Sequence, residues 1–399
     1  MHLLFLTFWA TLAPISQSIS LWDPTGPYHV GYTQHVFNHT TPKDPTKPGN
    51  IMLLTIYYPT RQIPNITVPY LDPISASIFE KGGFPNGSLS TLTTKLQFQA
   101  ATLLDTNPEF GNGTSPYPTI IFLPGTGLPA RAYTAYQSEL ASYGYTVISI
   151  DHPGEAPFIQ LPYGGEGIYT TLDLLTQTPP PEIARAVYDY RVSDVLAMIN
   201  DPFLPSLIHT YGAPINTTHF GIFGHSIGGA AAAGVMAASD TKTASLFKVG
   251  GNLDGRFTQL LNQSLTGVNT SIPVSNLKRP FLELATETTL NGRKDGDITW
   301  EYFNAGQSEW WRALQIVGTE HLDFSDIPLW VERLGGRDEA LGGSLGGADG
   351  VRTTHIVASI MRKVIGYMEG KGLKRVDEYT DKVPEAFRLG GNDGGRKIG

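Results

Sequence analysis

The stretch His219-Phe220-Gly221-Ile222-Phe223-Gly224-His225-Ser226-Ile227-Gly228-Gly229-Ala230-Ala231-Ala232-Ala233 joins a strand-like apolar run to a block of alanines. Alanines are strong helix formers with side chains small enough to pack tightly under a sheet. Between the two lies G-x-S-x-G, from Gly224 to Gly228. A strand-to-helix turn this sharp needs small residues around its serine, and it projects the hydroxyl above the end of the sheet. That is the placement a nucleophilic serine requires.

The pattern alone is weak, because the chain holds 44 glycines. A second match, Gly342-Gly343-Ser344-Leu345-Gly346, serves as an internal control. No strand-like run precedes Ser344, and Gly347-Ala348-Asp349-Gly350 follows it in place of a helix, so Ser344 reads as a loop residue. Around Ser226 the rest of the chain keeps an α/β rhythm. Thr119-Ile120-Ile121-Phe122-Leu123 and Tyr145 to Ile150 read as buried strands, with a helix from Tyr133 to Tyr143 between them. That spacing implies a parallel sheet with right-handed crossovers. Further strands are expected at Ile51–Tyr58, Phe247–Leu253, Phe281–Ala285 and Ala313–Val317, and helices at Glu182–Asn200, with Pro181 in the first turn, and Thr354–Glu369. The fold class expected is α/β, an α/β-hydrolase fold with a mostly parallel central sheet and helices on both faces. It fills one catalytic domain, residues 21–389. Residues 65–117 and 153–181 read as surface insertions bordering the active site, and residues 334–350 and the tail 390–399 as loose.

Composition narrows the function. A chain of 399 residues with 41% apolar content buries a large core, and a formal charge of -8 without a long basic run argues against nucleic acid as a partner. The absence of cysteine excludes thiol catalysis, disulfides and thiolate metal sites. No H-E-x-x-H or other compact ligand cluster is found, so no metal or cofactor is expected. Leu3 to Ala13 is apolar but too short for a stable bilayer span, and small residues at Ser16-Gln17-Ser18 and Ser18-Ile19-Ser20 offer cleavage points. Residues 1–20 therefore read as a secretory signal peptide, although its start carries His2 and no lysine or arginine. Sequons at Asn38, Asn65, Asn86, Asn112, Asn216, Asn262 and Asn269 point the same way, to a secreted glycoprotein.

A serine nucleophile needs a histidine base and an acid to orient it, which follow the serine in this fold in the order acid, then histidine. Downstream of Ser226 there are two histidines. His321 follows the strand ending at Val317 and is favoured as base, whereas His355 lies inside the apolar-periodic closing helix. For the acid, Asp254 follows Leu253 and precedes Gly255; Asp295, Asp297 and Asp323 are the alternatives, the last being too near His321 in sequence to be an easy partner. The oxyanion hole needs two backbone N–H groups. One is assigned to Ile227 and the other to Thr126 in the loop Pro124-Gly125-Thr126-Gly127, with Gly125 next in line. His152 reads as a structural loop residue, Arg191 and Asp194 as an ion pair on one helix face, and Trp310-Trp311 as packing.

With these residues assembled, the chain resembles the plasma-type platelet-activating-factor acetylhydrolases and their secreted fungal-like relatives. The matching segments come in order: Tyr57-Tyr58-Pro59, Phe122 to Gly127, Leu140 to Tyr145 running into Ile150-Asp151-His152, Arg191 to Val195, Gly224 to Gly229, Asn252-Leu253-Asp254-Gly255, and Gly318 to His321 before Phe324. The resemblance spans roughly Ile51 to Asp326. It implies a triad of Ser226, Asp254 and His321 with Thr126 and Ile227 as the hole, and supports Asp254 over Asp295. Thr126 stands where the animal enzymes carry a bulkier apolar residue, and Gly255-Arg256-Phe257 replaces a tryptophan-rich loop, so the acyl pocket differs. The function expected is a secreted, metal-independent serine carboxylesterase for short-acyl esters. Acetylated or oxidised phospholipids are the substrates the resemblance implies, with transient contact to a lipid surface. A cutinase-like polyester hydrolase is the alternative enzyme, disfavoured by the missing cysteines and the long excursion before Tyr117. An inactive hydrolase-fold binding protein is the alternative of another class, and would have lost the serine or the histidine.

Overall fold

Five consecutive buried residues, Thr119–Leu123, form a strand covered on both faces. Ile120 and Phe122 join one apolar cluster while Ile121 and Leu123 join another, so the strand's alternation separates two cores on opposite sides of one sheet. This is a computed structural model, and it describes the chain apart from residues 1–17, 47–49, 104–117, 178, 263–268, 270, 272, 288–297, 338–343, 395, 396 and 399.

In chain order the strands of that sheet are β1 (His29–Asn38), β2 (Ile51–Thr60), β3 (Leu96–Phe98), β4 (Thr119–Leu123), β5 (Thr146–Asp151), β6 (Phe220–His225), β7 (Phe247–Leu253), β8 (Phe281–Thr286), β9 (Trp311–Ile316), β10 (Ala386–Asn392) and β11 (Lys397–Ile398). They lie side by side in the order β11-β10-β9-β8-β7-β6-β4-β5-β2-β1-β3. From β5 to β9 every neighbouring pair is parallel, and antiparallel strands β2 and β10 flank this block. The chain leaves β4 toward β5 on one side and reaches β6 on the other. The loops after β4 and β6 therefore open side by side at the carboxyl ends of neighbouring strands, where α/β sheets place their sites.

The principal helices are α1 (Pro73–Glu80), α2 (Thr134–Ser142), α3 (Pro181–Asn200), α4 (Ile227–Met236), α5 (Ile327–Leu334) and α6 (Gly350–Ile365). Residues of α2, α5 and α6 pack in the core with Ile120 and Phe122, and those of α3 and α4 in the core with Ile121 and Leu123. Helices thus cover both faces, as expected. Among the described residues no helix is long and apolar enough to cross a membrane.

The periphery corrects three expectations. The described part of the 65–117 excursion is not a surface feature: Tyr70, Phe79, Phe84, Leu89 and Leu92 are buried. Phe79 and Phe84 pack edge-on against Trp330 at 5.4 and 5.8 Å. Its polar composition masks apolar residues that are spaced singly rather than in runs. The expected loose tail begins inside β10, where Gly390 and Gly391 let the strand close over Trp311 and Arg312; a β-carbon on Gly391 would stand 2.8 Å from an Arg312 nitrogen. At the other end, Ile19 and Ser20 pair parallel with Leu92 and Thr93, so the folded region starts before residue 21. The proposed leader otherwise lies outside the described residues, as does Asn112. Of the 334–350 stretch, Leu345 is buried and the Gly346 N–H donates to Asp323.

Asp326 fastens the segment after β9 to the start of α2. Its own N–H donates to the Ala132 carbonyl at 2.6 Å, and its carboxylate accepts from the Ala135 N–H at 3.1 Å and the Tyr70 hydroxyl at 3.0 Å. Burial pushes this carboxyl up to about 7, against the opposing effect of those hydrogen bonds. The folded protein thus holds the Asp326 proton more tightly than the unfolded chain does. The stability it contributes is complete below the ordinary carboxyl range and is lost as pH rises toward 7. Urea titrations should show wild-type stability falling relative to Asp326→Asn by up to ~4 kcal/mol between pH 4 and pH 8; a pH-independent difference would refute this assignment.

Candidate active site

Ser226 stands between the end of β6 and the first residue of α4, with φ 57° and ψ −130°. A non-glycine residue adopts this backbone only when its surroundings impose it. Gly224 and Gly228 meet across the turn, since a β-carbon on Gly224 would lie 2.3 Å from the Gly228 carbonyl carbon. A β-carbon on Gly228 would in turn lie 2.3 Å from the Leu123 carbonyl oxygen. Gly229 makes room for Asn252, whose Oδ1 would be 2.0 Å from a β-carbon there. Each glycine of the motif thus answers a close approach that no side chain permits.

Asn252 also builds the next turn. Its side chain accepts from the Gly255 N–H at 2.8 Å and donates to the Gly255 carbonyl at 2.7 Å, bracketing Asp254 at φ 59°. Asp254 is fully buried, and its Oδ2 lies 2.6 Å from His321 Nδ1. His321 Nε2 lies 3.0 Å from Ser226 Oγ. The structure therefore brings Ser226, His321 and Asp254 into one hydrogen-bonded line. His321 keeps 46% of its side chain exposed, so the serine end of the line faces the outside. The rest of the Asp254 carboxylate is held by Thr286 at the end of β8: the Thr286 N–H donates to Oδ1 at 2.9 Å and its hydroxyl to Oδ2 at 3.0 Å. Sequence reasoning missed Thr286. Its only signal is its place at the end of the strand beside Asp254.

His321 opens a short 3-10 turn, His321–Phe324, after the left-handed Gly318. Asp323 accepts from the Glu320 N–H at 2.8 Å within this turn and is no partner of His321. His355 sits in α6 against the Trp22 ring at 4.6 Å, away from the line. Asp295 and Asp297 lie outside the described residues.

Ile227 is the first residue of α4, so its N–H is one of the donors a helix leaves unpaired. Across from it, Thr126 and Gly127 form a turn after β4, with Gly127 at φ 80°. The Gly125 N–H is already committed to the Tyr133 hydroxyl at 2.9 Å, which leaves Thr126 as the better donor of the two residues weighed. Arg191 donates to the Pro124 carbonyl from the opposite side. Beyond Gly127 lie Leu174 and Leu175, and a cavity of about 440 Å³ follows, lined by Phe79, Pro157, Leu172 and Leu175 among others. None of its lining residues belongs to the triad or to the hole.

Two further expectations need correction. Arg191 and Asp194 do not pair on the face of α3. Arg191 is buried against Glu155, while Asp194 accepts from Thr41 at 2.8 Å and meets His39 at 2.8 Å. Burial selects partners from distant elements over the neighbour on the same helix. Asn216 is not an accessible sequon: it is 1% exposed, its Oδ1 accepts from the Thr218 N–H at 2.8 Å and its Nδ2 reaches the His219 ring. Asn38, Asn65, Asn86, Asn262 and Asn269 are exposed. His152 is buried between Asp194 and Glu155, and Trp310 is buried under Arg312, both in structural surroundings.

Residues 120–372 match the family model described as the alpha/beta hydrolase family, and the chain belongs to that family. Residues 14–160 match the model for platelet-activating factor acetylhydrolase, isoform II. A protein of Arthroderma benhamiae named as a probable 1-alkyl-2-acetylglycerophosphocholine esterase is 25% identical over 237 residues, covering 56% of this chain and 52% of that protein. The match thus spans about half the length of that relative. Together these bear out the resemblance to the acetylhydrolases drawn from the sequence. A ferulic acid esterase from Streptomyces cinnamoneus superposes with a TM-score of 0.72 at 23% identity, over 94% of this chain and 99% of its own, and shares the fold.

Thr286→Val removes a hydrogen bond to the buried Asp254 carboxylate while keeping shape. Steady-state assays should show kcat reduced about 10- to 100-fold with KM little changed; an unaltered kcat would dismiss Thr286 from the site.

Proposed function

We propose that this chain is a secreted serine carboxylesterase that cleaves short-acyl esters, acetylated or oxidised phospholipids among them. The observation that carries the reading is the continuous line from Asp254 through His321 to Ser226, with 2.6 and 3.0 Å between the participating atoms. In this mechanism Ser226 Oγ attacks the ester carbonyl carbon as His321 Nε2 takes its proton. The carbonyl oxygen becomes an oxyanion that accepts hydrogen bonds from the Thr126 and Ile227 N–H groups. The intermediate collapses, His321 returns the proton to the departing alcohol, and the acyl group remains on Ser226. Water, deprotonated by His321, then attacks the acyl-enzyme and releases the acid. Asp254 holds the imidazole with Nε2 free to face the serine and stabilises the imidazolium that forms.

The lipid part of this proposal draws on the acetylhydrolase model matched at residues 14–160 and on the name of the Arthroderma benhamiae relative. Secretion and glycosylation draw on the apolar start of the chain and its exposed sequons. Expressed in a eukaryotic secretory host, the protein should carry glycans at Asn38, Asn65 or Asn86 and none at Asn216, as read by mass spectrometry after deglycosylation in heavy-oxygen water.

Ser226→Ala and His321→Ala should each lower kcat by several orders of magnitude. A fluorophosphonate should label Ser226 in the folded protein, and its failure to do so would leave a hydrolase-fold binding protein as the reading. Hydrolysis of p-nitrophenyl esters should fall from acetate to octanoate, with a short-chain phospholipid also cleaved. Cleavage confined to the long acyl chains would remove the acetylhydrolase assignment.

A further inference from the structure

His225, the variable residue inside the G-x-S-x-G run, points away from the nucleophile into the protein. It is 1% exposed and lies between two loops that the reaction needs. Its Nε2 is 2.9 Å from the carbonyl oxygen of His321, and its Nδ1 is 2.8 Å from the hydroxyl of Tyr133, which is fully buried. The same hydroxyl accepts the Gly125 N–H at 2.9 Å. Only one arrangement of hydrogens satisfies every group. A carbonyl oxygen can only accept, so His225 carries its proton on Nε2, and its bare Nδ1 accepts the Tyr133 O–H. The line runs Gly125 N–H to Tyr133 O–H to His225 Nδ1, then His225 Nε2–H to His321 C=O.

We propose that Tyr133 and His225 are positioning residues that bridge the oxyanion loop to the loop of the base, fixing the distance between the two halves of the catalytic apparatus. The inference rests on the triad reading given above. Neither residue reaches the place where an ester would react, so each acts only through the loop it holds. Gly125 precedes Thr126 directly, and the His321 carbonyl belongs to the base itself. A displacement at either end of the bridge therefore moves a donor or the imidazole relative to Ser226. The crowding around Gly125 agrees: a β-carbon there would lie 2.8 Å from His225 Nδ1 and 2.9 Å from the Tyr133 hydroxyl. Burial and the neighbouring His321 hold the His225 imidazole well below its usual range, so it stays in the neutral form the bridge requires.

The test uses the full chain, with kcat expressed per Ser226 that a fluorophosphonate can label, so that unfolded molecules leave the comparison. Tyr133→Phe and His225→Phe should each lower kcat on p-nitrophenyl acetate about 10- to 100-fold, with KM within about twofold. The double variant should be no slower than the slower single one, because both substitutions cut the same bridge. His225→Gln offers an amide oxygen to Tyr133 and an amide N–H to the His321 carbonyl, and should recover most of the loss. A merely structural role would lower the melting temperature and leave kcat per labelled site unchanged; that result, or additive losses in the double variant, overturns the proposal. Should neither phenylalanine variant give labelled protein, His225→Gln is compared with His225→Met, and equal kcat values for that pair overturn it. If wild-type protein neither labels nor turns over, the esterase reading fails instead, and the two failures are distinct.

Discussion

Ser226 occupies a backbone conformation, φ 57° and ψ −130°, that costs a non-glycine residue on the order of 1–3 kcal/mol, and every other part of the site is arranged around the means of enforcing it. The turn is held from both sides. The Ser226 N–H donates to the Leu253 carbonyl at 2.8 Å, and the Ser226 carbonyl accepts from the Gly229 N–H at 2.9 Å. Ala230 to Ala233 are completely buried, seated between the sheet and α3. A β-carbon on Gly234 would stand 2.3 Å from the Tyr188 hydroxyl, which shows how closely the two helices approach. Larger residues in α4 would push the helix off the sheet and relax the serine into an ordinary turn. The alanine block is thus part of the same device as the glycines.

A fixed serine still needs partners brought to it at fixed distances, and these come from loops, which are the least constrained parts of a fold. Here each loop is tied down by buried polar side chains. The acid turn is bracketed by Asn252 and its carboxylate is held by Thr286. The base loop is fastened to the start of α2 through Asp326, and the oxyanion loop to the residue just before α2 through Tyr133. One short segment, Ala130 to Ala135, therefore anchors both loops. The buried pair of Arg191 and Glu155 holds the other flank of the oxyanion loop at Pro124. A buried ion pair adds little net stability, because two charges must leave water to make it. What it supplies is a rigid donor for one carbonyl oxygen beside the expected oxyanion site.

Much of this was legible in the sequence, for physical reasons that also explain the rest. Thr119–Leu123 is legible to the residue because a strand buried on both faces reads as a near-continuous apolar run, and Phe247–Leu253 keeps its expected bounds although it carries an exposed Lys248 and a buried Asn252. The residues now aligned, Ser226, Asp254 and His321, could be picked out because each follows a strand in the order the fold demands. Local spacing misled where burial decides. Arg191 and Asp194 are three apart on a helix, yet each is buried and takes partners from segments distant in sequence. Asn216 carries the sequon pattern, but its amide is consumed by its own turn and by His219. The described part of the 65–117 excursion looked polar because composition averages over a stretch, whereas the core needs only single residues such as Tyr70 and Phe79 at the right places. Thr286 had no pattern at all; its importance comes from β8 lying beside β7, a fact of sheet order that local sequence does not carry.

The second residue of the motif shows how far such order reaches. Side chains alternate along β6, so His225, its last residue, lies on the face of Phe223, the side on which Tyr133 packs. The space there is bounded by the β4 loop on one side and by the base loop on the other, and whatever fills it touches both. An apolar filler would leave the His321 carbonyl and the Tyr133 hydroxyl without these partners in a buried place, at a cost of about 1–3 kcal/mol for each group left unpaired. A cation would be worse, because the His225 and His321 rings lie 4.6 Å apart and, in the proposed mechanism, His321 itself becomes charged. A neutral imidazole meets both conditions, with one donor and one acceptor on opposite edges of a rigid ring. The sharp turn that holds Ser226 thereby also determines what can stand immediately before it.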